Sequence, residues 1–177
     1  MNRILLRRVA PMTMALLLPL GTPIALAVNE SADTEVTLRF TPTISINGFE
    51  DLVITDPDSG ENAVDWESFC IRGIGFSTFE ILFESENGTN EYILTDGTIN
   101  IPYQVGFENV TNGGFTPTTE GTALAGQAIQ DPGNCNGNGV PENSTFEVTI
   151  LNADWENARV LSGTEYTDTL TITVTSE

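Results

Sequence analysis

The 177-residue chain contains no lysine and no histidine, and its six basic residues are all arginine. Against them stand 25 acids, giving a net charge of −19. A nucleic-acid binder needs a basic footprint, so this composition argues against that class. The same shortage argues against attachment to anionic lipid through a basic patch. Without His or Lys, imidazole acid–base chemistry, Schiff bases and histidine-held metals are missing. Only two cysteines are present, too few for a zinc shell on their own. What remains is carboxylate chemistry, calcium, or a role without chemistry. With 40% hydrophobic residues the chain still has the material for a core.

Long apolar runs are equally scarce. The one candidate lies at the N-terminus, where Arg3, Arg7 and Arg8 precede an apolar stretch over residues 9–20. Pro19, Gly21 and Pro23 interrupt it, and Ala25-Leu26-Ala27 closes it. The stretch is too short to cross a bilayer, which takes about 20 helical residues. A positive end, a short apolar centre and a small-x-small exit predict a signal peptide over residues 1–27. Its removal leaves 150 residues with Arg39, Arg72 and Arg159 against 25 acids, a net charge of −22. In an exported chain, Cys70 and Cys135 read as one disulfide. Closing a loop of that size is worth about 4 kcal/mol in the chain-entropy view.

The exported part reads as strands. Residues 35–40, Glu-Val-Thr-Leu-Arg-Phe, alternate apolar and polar, and the phase continues past Pro42 through Ile44 and Ile46. Residues 51–55 are a short apolar run ended by the turn cluster Asp56-Pro57-Asp58-Ser59-Gly60. Strands are expected over 68–74 and 79–84, with Gly73 and Gly75 suggesting a bulge. Asn87-Gly88 is a turn, and residues 91–95 lead into Asp96-Gly97, a strong hairpin signal. Residues 99–107 follow, with Pro102 at an edge or bulge, and 109–121 read as loop. Residues 144–151 alternate again, 152–159 could form a helical turn, and 166–175 close the chain. In that last run Leu170, Ile172 and Val174 face one way and threonines the other. About seven short strands and one disulfide predict an all-β, single-domain β-sandwich.

The closing run Ser162-Gly163-Thr164-Glu165-Tyr166-Thr167-Asp168-Thr169-Leu170-Thr171-Ile172-Thr173-Val174 resembles the end of spore coat protein U domains. That domain is shared with pilins of the archaic chaperone–usher pathway. Ser68-Phe69-Cys70-Ile71 looks like the family's central cysteine strand, and Leu94-Thr95-Asp96-Gly97-Thr98 before Ile101-Pro102-Tyr103 is similar to its middle hairpin. The likeness covers most of residues 36–177. One departure is that residues 28–67 lack the cysteine often found there in the family, so no family pairing carries over and only Cys70–Cys135 is open to this chain.

The resemblance implies an immunoglobulin-like sandwich that is incomplete and is completed by a donor strand from a neighbour. It implies a secreted subunit of a pilus or surface coat, active in adhesion or biofilm formation. Its partners would be related subunits, a periplasmic chaperone and an outer-membrane usher, on a route through the periplasm to the cell surface. Residues 28–41 are then the extension and 42–177 the domain. Val36, Leu38 and Phe40 share one face of the extension and are the candidate plugs, with Thr37, Arg39 and Thr41 opposite. Tyr166, Asp168, Leu170, Ile172 and Val174 mark the closing strand, beyond which only Ser176 and Glu177 follow. Residues 36–46 read equally as the ordinary first strand of a self-sufficient sandwich. A free-standing secreted module binding carbohydrate or calcium is the alternative.

Residues 134–145 resemble a calcium loop, with oxygens at alternate positions and Gly139 at the sixth. Asn134 stands at its first position and Thr145 at its twelfth, and Glu142 and Asp131 supply the only charges, so a plain Asn/Gly loop is the expectation. Asp56, Asp58 and Glu61 form a second acidic loop to which the same applies. No metal, cofactor or catalytic residue is expected: paired carboxylates arise by chance among 25 acids, and serine has no histidine partner. Asn87, Asn109 and Asn143 begin glycosylation sequons, which arise readily by chance in Thr- and Asn-rich strands. Trp66 and Trp155 are expected in the core or an interface, with sugar stacking as the other reading.

Overall fold

A computed structural model of the chain describes residues 34–109, 113–130, 135, 142–160 and 165–177. The signal peptide, residues 28–33, most of the calcium-like loop and two residues of the Asn109 sequon lie outside these. The chain divides into two units, residues 1–37 and 38–177. In the first, residues 34–37 are exposed and form neither helix nor strand.

In the second unit the described residues form nine strands and one helix. They are β1 (Thr43–Asn47), β2 (Ala63–Ile74), β3 (Thr78–Ser85), β4 (Tyr92–Thr95), β5 (Asn100–Glu108), β6 (Thr116–Pro117), β7 (Leu124–Ala128), β8 (Ser144–Ile150), α1 (Asn152–Arg159) and β9 (Leu170–Ser176). The larger sheet has the order β1-β2-β8-β5-β4, with β6 also on β5, and the smaller one β7-β3-β9. Every ladder is antiparallel. The protein is an all-β sandwich.

Alternation puts Phe79, Ile81 and Phe83 of β3 inside, facing Phe69 and Ile71 of β2, Val105 and Phe107 of β5, and Phe146 and Val148 of β8. Phe69 lies 6.2 Å from both Phe107 and Phe146, and Phe83 lies 6.0 Å from Phe107. Burying each such ring removes enough apolar surface to be worth roughly 1.5–3 kcal/mol. The helix α1 adds Trp155, whose indole Nε1 donates to the carbonyl of Glu61 at 3.1 Å, while Arg159 lies 5.6 Å over the ring. Cys70 and Cys135 are bonded, with Cα atoms 5.7 Å apart.

Two expected strands are corrected. Residues 35–40 join no sheet, and the first ladder begins only at Thr43. Residues 51–55 keep their alternation, with Leu52 and Ile54 half-buried, but among the described residues they make no backbone pairing. β7 was not expected at all, because Leu-Ala-Gly-Gln-Ala shows no apolar period. Pro102 has a partner strand on one side alone, since β8 pairs with β5 only from Gln104 onward. Gly75 turns the chain between β2 and β3 at φ +87°, and Gly73 leaves the space into which Phe76 and Ile129 pack: a Cβ there would stand 2.6–2.7 Å from both side chains. Gly73→Ala is therefore expected to displace Phe76 and cost about 1–3 kcal/mol as an overpacking change, read by denaturant melts against the parent.

Candidate functional site: an unpaired strand edge

β9 is bonded to β3 through seven consecutive register pairs, from Phe79 with Ser176 to Ser85 with Leu170. No strand among the described residues pairs with its other side. Leu170, Ile172 and Val174 point at the core, yet each stays half-buried where the β3 residues beside them are sealed. The same holds for Ile44 and Ile46 of β1, whose backbone comes within 8 Å of β9 without bonding to it.

Phe49 and Glu50 lie beside β2. Phe49 stacks on Phe69 with centroids 4.6 Å apart, and Glu50 lies close to the Glu67 carboxylate. β1 covers only residues 70–74 of β2, so residues 63–69 have β8 on one side and, among the described residues, no strand paired on the other. The sandwich thus carries an unpaired edge (β9), an alternating segment without a ladder (51–55), and a row of half-buried aliphatics. Desolvation raises the pKa of Glu67; the Glu50 amide opposes this, and the nearby carboxylates of Glu50, Glu142 and Asp65 reinforce it.

The lower end of β9 is anchored by a polar knot. Asp168 accepts from the Tyr103 hydroxyl at 2.6 Å through Oδ2, and from the Asn87 backbone and side-chain amides at 3.2 and 3.0 Å through Oδ1. Asn87 Nδ2 also donates to the carbonyls of Thr167 at 2.9 Å and Ile93 at 3.2 Å. Thr95 and Thr167 exchange two backbone bonds at 3.0 Å. Tyr166 donates to the Ala158 carbonyl at the end of α1. The closing motif is therefore a clasp joining the β3–β4 turn, β5, α1 and β9. Asn87 and Tyr103 were not identified as its partners from the sequence, since neither lies near Asp168 in the chain. Burial first, then the bond to Asp168, pushes the Tyr103 phenol far above its ordinary value.

The amides of all three sequons are engaged. Asn143 Nδ2 donates to the Ile71 carbonyl and Oδ1 accepts the Ile71 amide, both at 2.8 Å, which extends the β2–β8 ladder with a side chain. Asn109 Nδ2 donates to the Ala128 carbonyl at 2.9 Å.

Val36, Leu38 and Phe40 are 89%, 78% and 68% exposed. Phe40 lines a shallow depression of about 390 Å³ with Gly73, Ile74, Gly75, Phe76, Ser77 and Ile129. Trp155 is in the core and Trp66 is exposed. Among the described residues no cluster of three or more Asp, Glu or Cys is placed to hold a metal, and the acidic loop at Asp56 is tied instead to Glu156 through Ser59 and Gly60. No described helix is long and apolar enough to cross a membrane.

No protein-family model matches this chain, and no curated protein matches it. Among solved structures, a chain from a chaperone–tip adhesin complex, described as vital for synergistic activation of CFA/I fimbriae biogenesis, has a similar fold. The TM-score is 0.52 at 17% identity, and the match covers 76% of this chain and 41% of that one. The likeness is one of fold: the all-β architecture is shared with a component of a fimbrial system.

The clasp makes a testable statement. The folded state holds the Tyr103 proton that the unfolded chain gives up near pH 10, so this contribution is complete below about pH 10 and is lost as pH climbs toward the higher folded value. Melting temperature is expected to fall through that window, and Tyr103→Phe to flatten the fall while costing about 1–3 kcal/mol at neutral pH through the orphaned Asp168 oxygen.

Proposed function

We propose that this protein is an exported, non-enzymatic structural subunit that polymerises by donor-strand exchange into a pilus or surface coat. Residues 42–177 form the acceptor domain and residues 28–41 the donor. The observation that carries this reading is the free edge of β9, bordered by half-buried Leu170, Ile172 and Val174, in a chain whose extension exposes Val36, Leu38 and Phe40 at alternate positions. A strand added at such an edge gains main-chain hydrogen bonds for affinity, and its alternate side chains complete the core for specificity. The fimbrial neighbour's fold is consistent with this role, and the resemblance of the closing run to spore coat protein U domains supports it.

Within this reading the donor runs along β9, with Val36, Leu38 and Phe40 turned inward and Thr37, Arg39 and Thr41 outward. An uncovered edge of this length is an aggregation hazard, so transit through the periplasm requires a chaperone that occupies it and an usher that exchanges it. Adhesion or biofilm formation is the activity such a polymer would serve.

The test compares the mature protein with and without residues 28–41, refolded with the disulfide intact. The full chain is expected to form linear polymers that resist SDS, and the truncated one to remain monomeric. In the full chain, replacing Val36, Leu38 and Phe40 together by Asp is expected to abolish polymers. Two stable monomers of equal melting temperature would overturn the proposal.

A further inference from the structure

The outer face of the larger sheet carries a feature that self-assembly does not use. Along β2, Trp66 stands away from the core and is 60% exposed. The register places it directly across from Glu147 of β8, and Glu147 directly across from Gly106 of β5. Gly106 has no side chain, and Phe115 fills the space above it: a Cβ at Gly106 would lie 3.0 Å from that of Phe115. Phe115 is itself 37% exposed. With strands about 4.8 Å apart, Trp66 and Phe115 flank one carboxylate across roughly two strand spacings. In the neighbouring rung Thr149 and Gln104 stand side by side, and the Thr149 hydroxyl is 3.5 Å from Glu147 Oε1.

A large ring left bare in the middle of a strand costs solubility and gives the core nothing. An indole beside a carboxylate, an amide and a hydroxyl is the arrangement of a site whose ligand has an apolar face and a rim of hydrogen-bond donors. A pyranose ring has both: its axial C–H groups cover an aromatic plane, and its hydroxyls donate to a carboxylate. Charge narrows the class. The central group is anionic, the three rungs around it hold no cation, and the exported chain carries a net charge of −22. Sulfated or acidic sugars are repelled, while amino sugars gain from Glu147 and from a cation–π contact with Trp66.

We infer that this face binds a glycan free of acid groups, stacked on Trp66 and Phe115 and hydrogen-bonded to Glu147, Gln104 and Thr149, with charge complementarity favouring an amine-bearing sugar. The inference stands apart from donor-strand exchange and is tested on the mature chain whatever its assembly state.

The experiment is calorimetric titration of the mature protein with cellohexaose, a glucosamine hexamer and a heparin hexasaccharide, accompanied by tryptophan emission. Trp66 is the exposed one of two tryptophans, so its emission reports on the face while Trp155 stays constant. Cellohexaose and the glucosamine hexamer are expected to bind saturably and shift emission, the latter more tightly at low salt, and heparin to give no heat. Trp66→Ala should weaken binding at least tenfold without moving the melting temperature, and Trp66→Tyr, which keeps a ring, should retain most of it. Glu147→Gln should weaken the glucosamine hexamer more than cellohexaose. The proposal fails if neither oligosaccharide binds, or if Trp66→Ala binds as tightly as the parent. It fails equally if Trp66→Ala blocks polymer formation while the parent binds no sugar, for the face would then belong to a second copy.

Discussion

The smaller sheet depends on one strand. β3 alone joins β7 to β9, and its inward residues Phe79, Ile81 and Phe83 are the floor of the core. Backbone groups next to a dry core must be paired or reach water. β3 meets that demand on both sides; β9 meets it on one. The half-buried state of Leu170, Ile172 and Val174 goes with that open side, which no described strand covers. The clasp around Asp168 holds β9 where the ladder cannot.

Much of the architecture was legible because burial on one face imposes a two-residue period. β8 and β9 alternate cleanly, Asp96-Gly97 makes the turn between β4 and β5, and the structure has these elements where the pattern put them. The Asp96 carboxylate accepts the amides of Thr98 and Ile99 at 2.8 and 2.7 Å, which lowers its pKa and shows why Asp precedes Gly in that turn. What failed was legible in its own way. Residues 35–40 and 51–55 carry a strand's alternation without a strand's partner, and period alone does not report whether a neighbour exists. β7 shows the reverse: Ala, Gly and Gln carry no period, and the edge of β3 alone makes that segment extended.

The candidate site was half visible. Alternation singled out Leu170, Ile172 and Val174, which stand half-buried along the edge, and also Val36, Leu38 and Phe40, which stand exposed. The clasp was not visible beyond Asp168, because hydrogen-bond partners in a sandwich lie at large separations that no local pattern encodes. The sequons illustrate how a short motif misleads. Asn87, Asn109 and Asn143 each use the side-chain amide to bond a carbonyl, so the requirement for Asn is met inside the fold.

The clasp also sets an order in time. Asn87 and Asp168 are 81 residues apart, and β3 waits for a partner that emerges after every other strand. A chain made from its N-terminus holds Phe79, Ile81 and Phe83 of β3 without their β9 partners for the whole of that interval. Pairings of such long range close slowly and leave the intermediate open to association. The most vulnerable moment in the life of this protein is therefore the interval before its last described strand reaches β3.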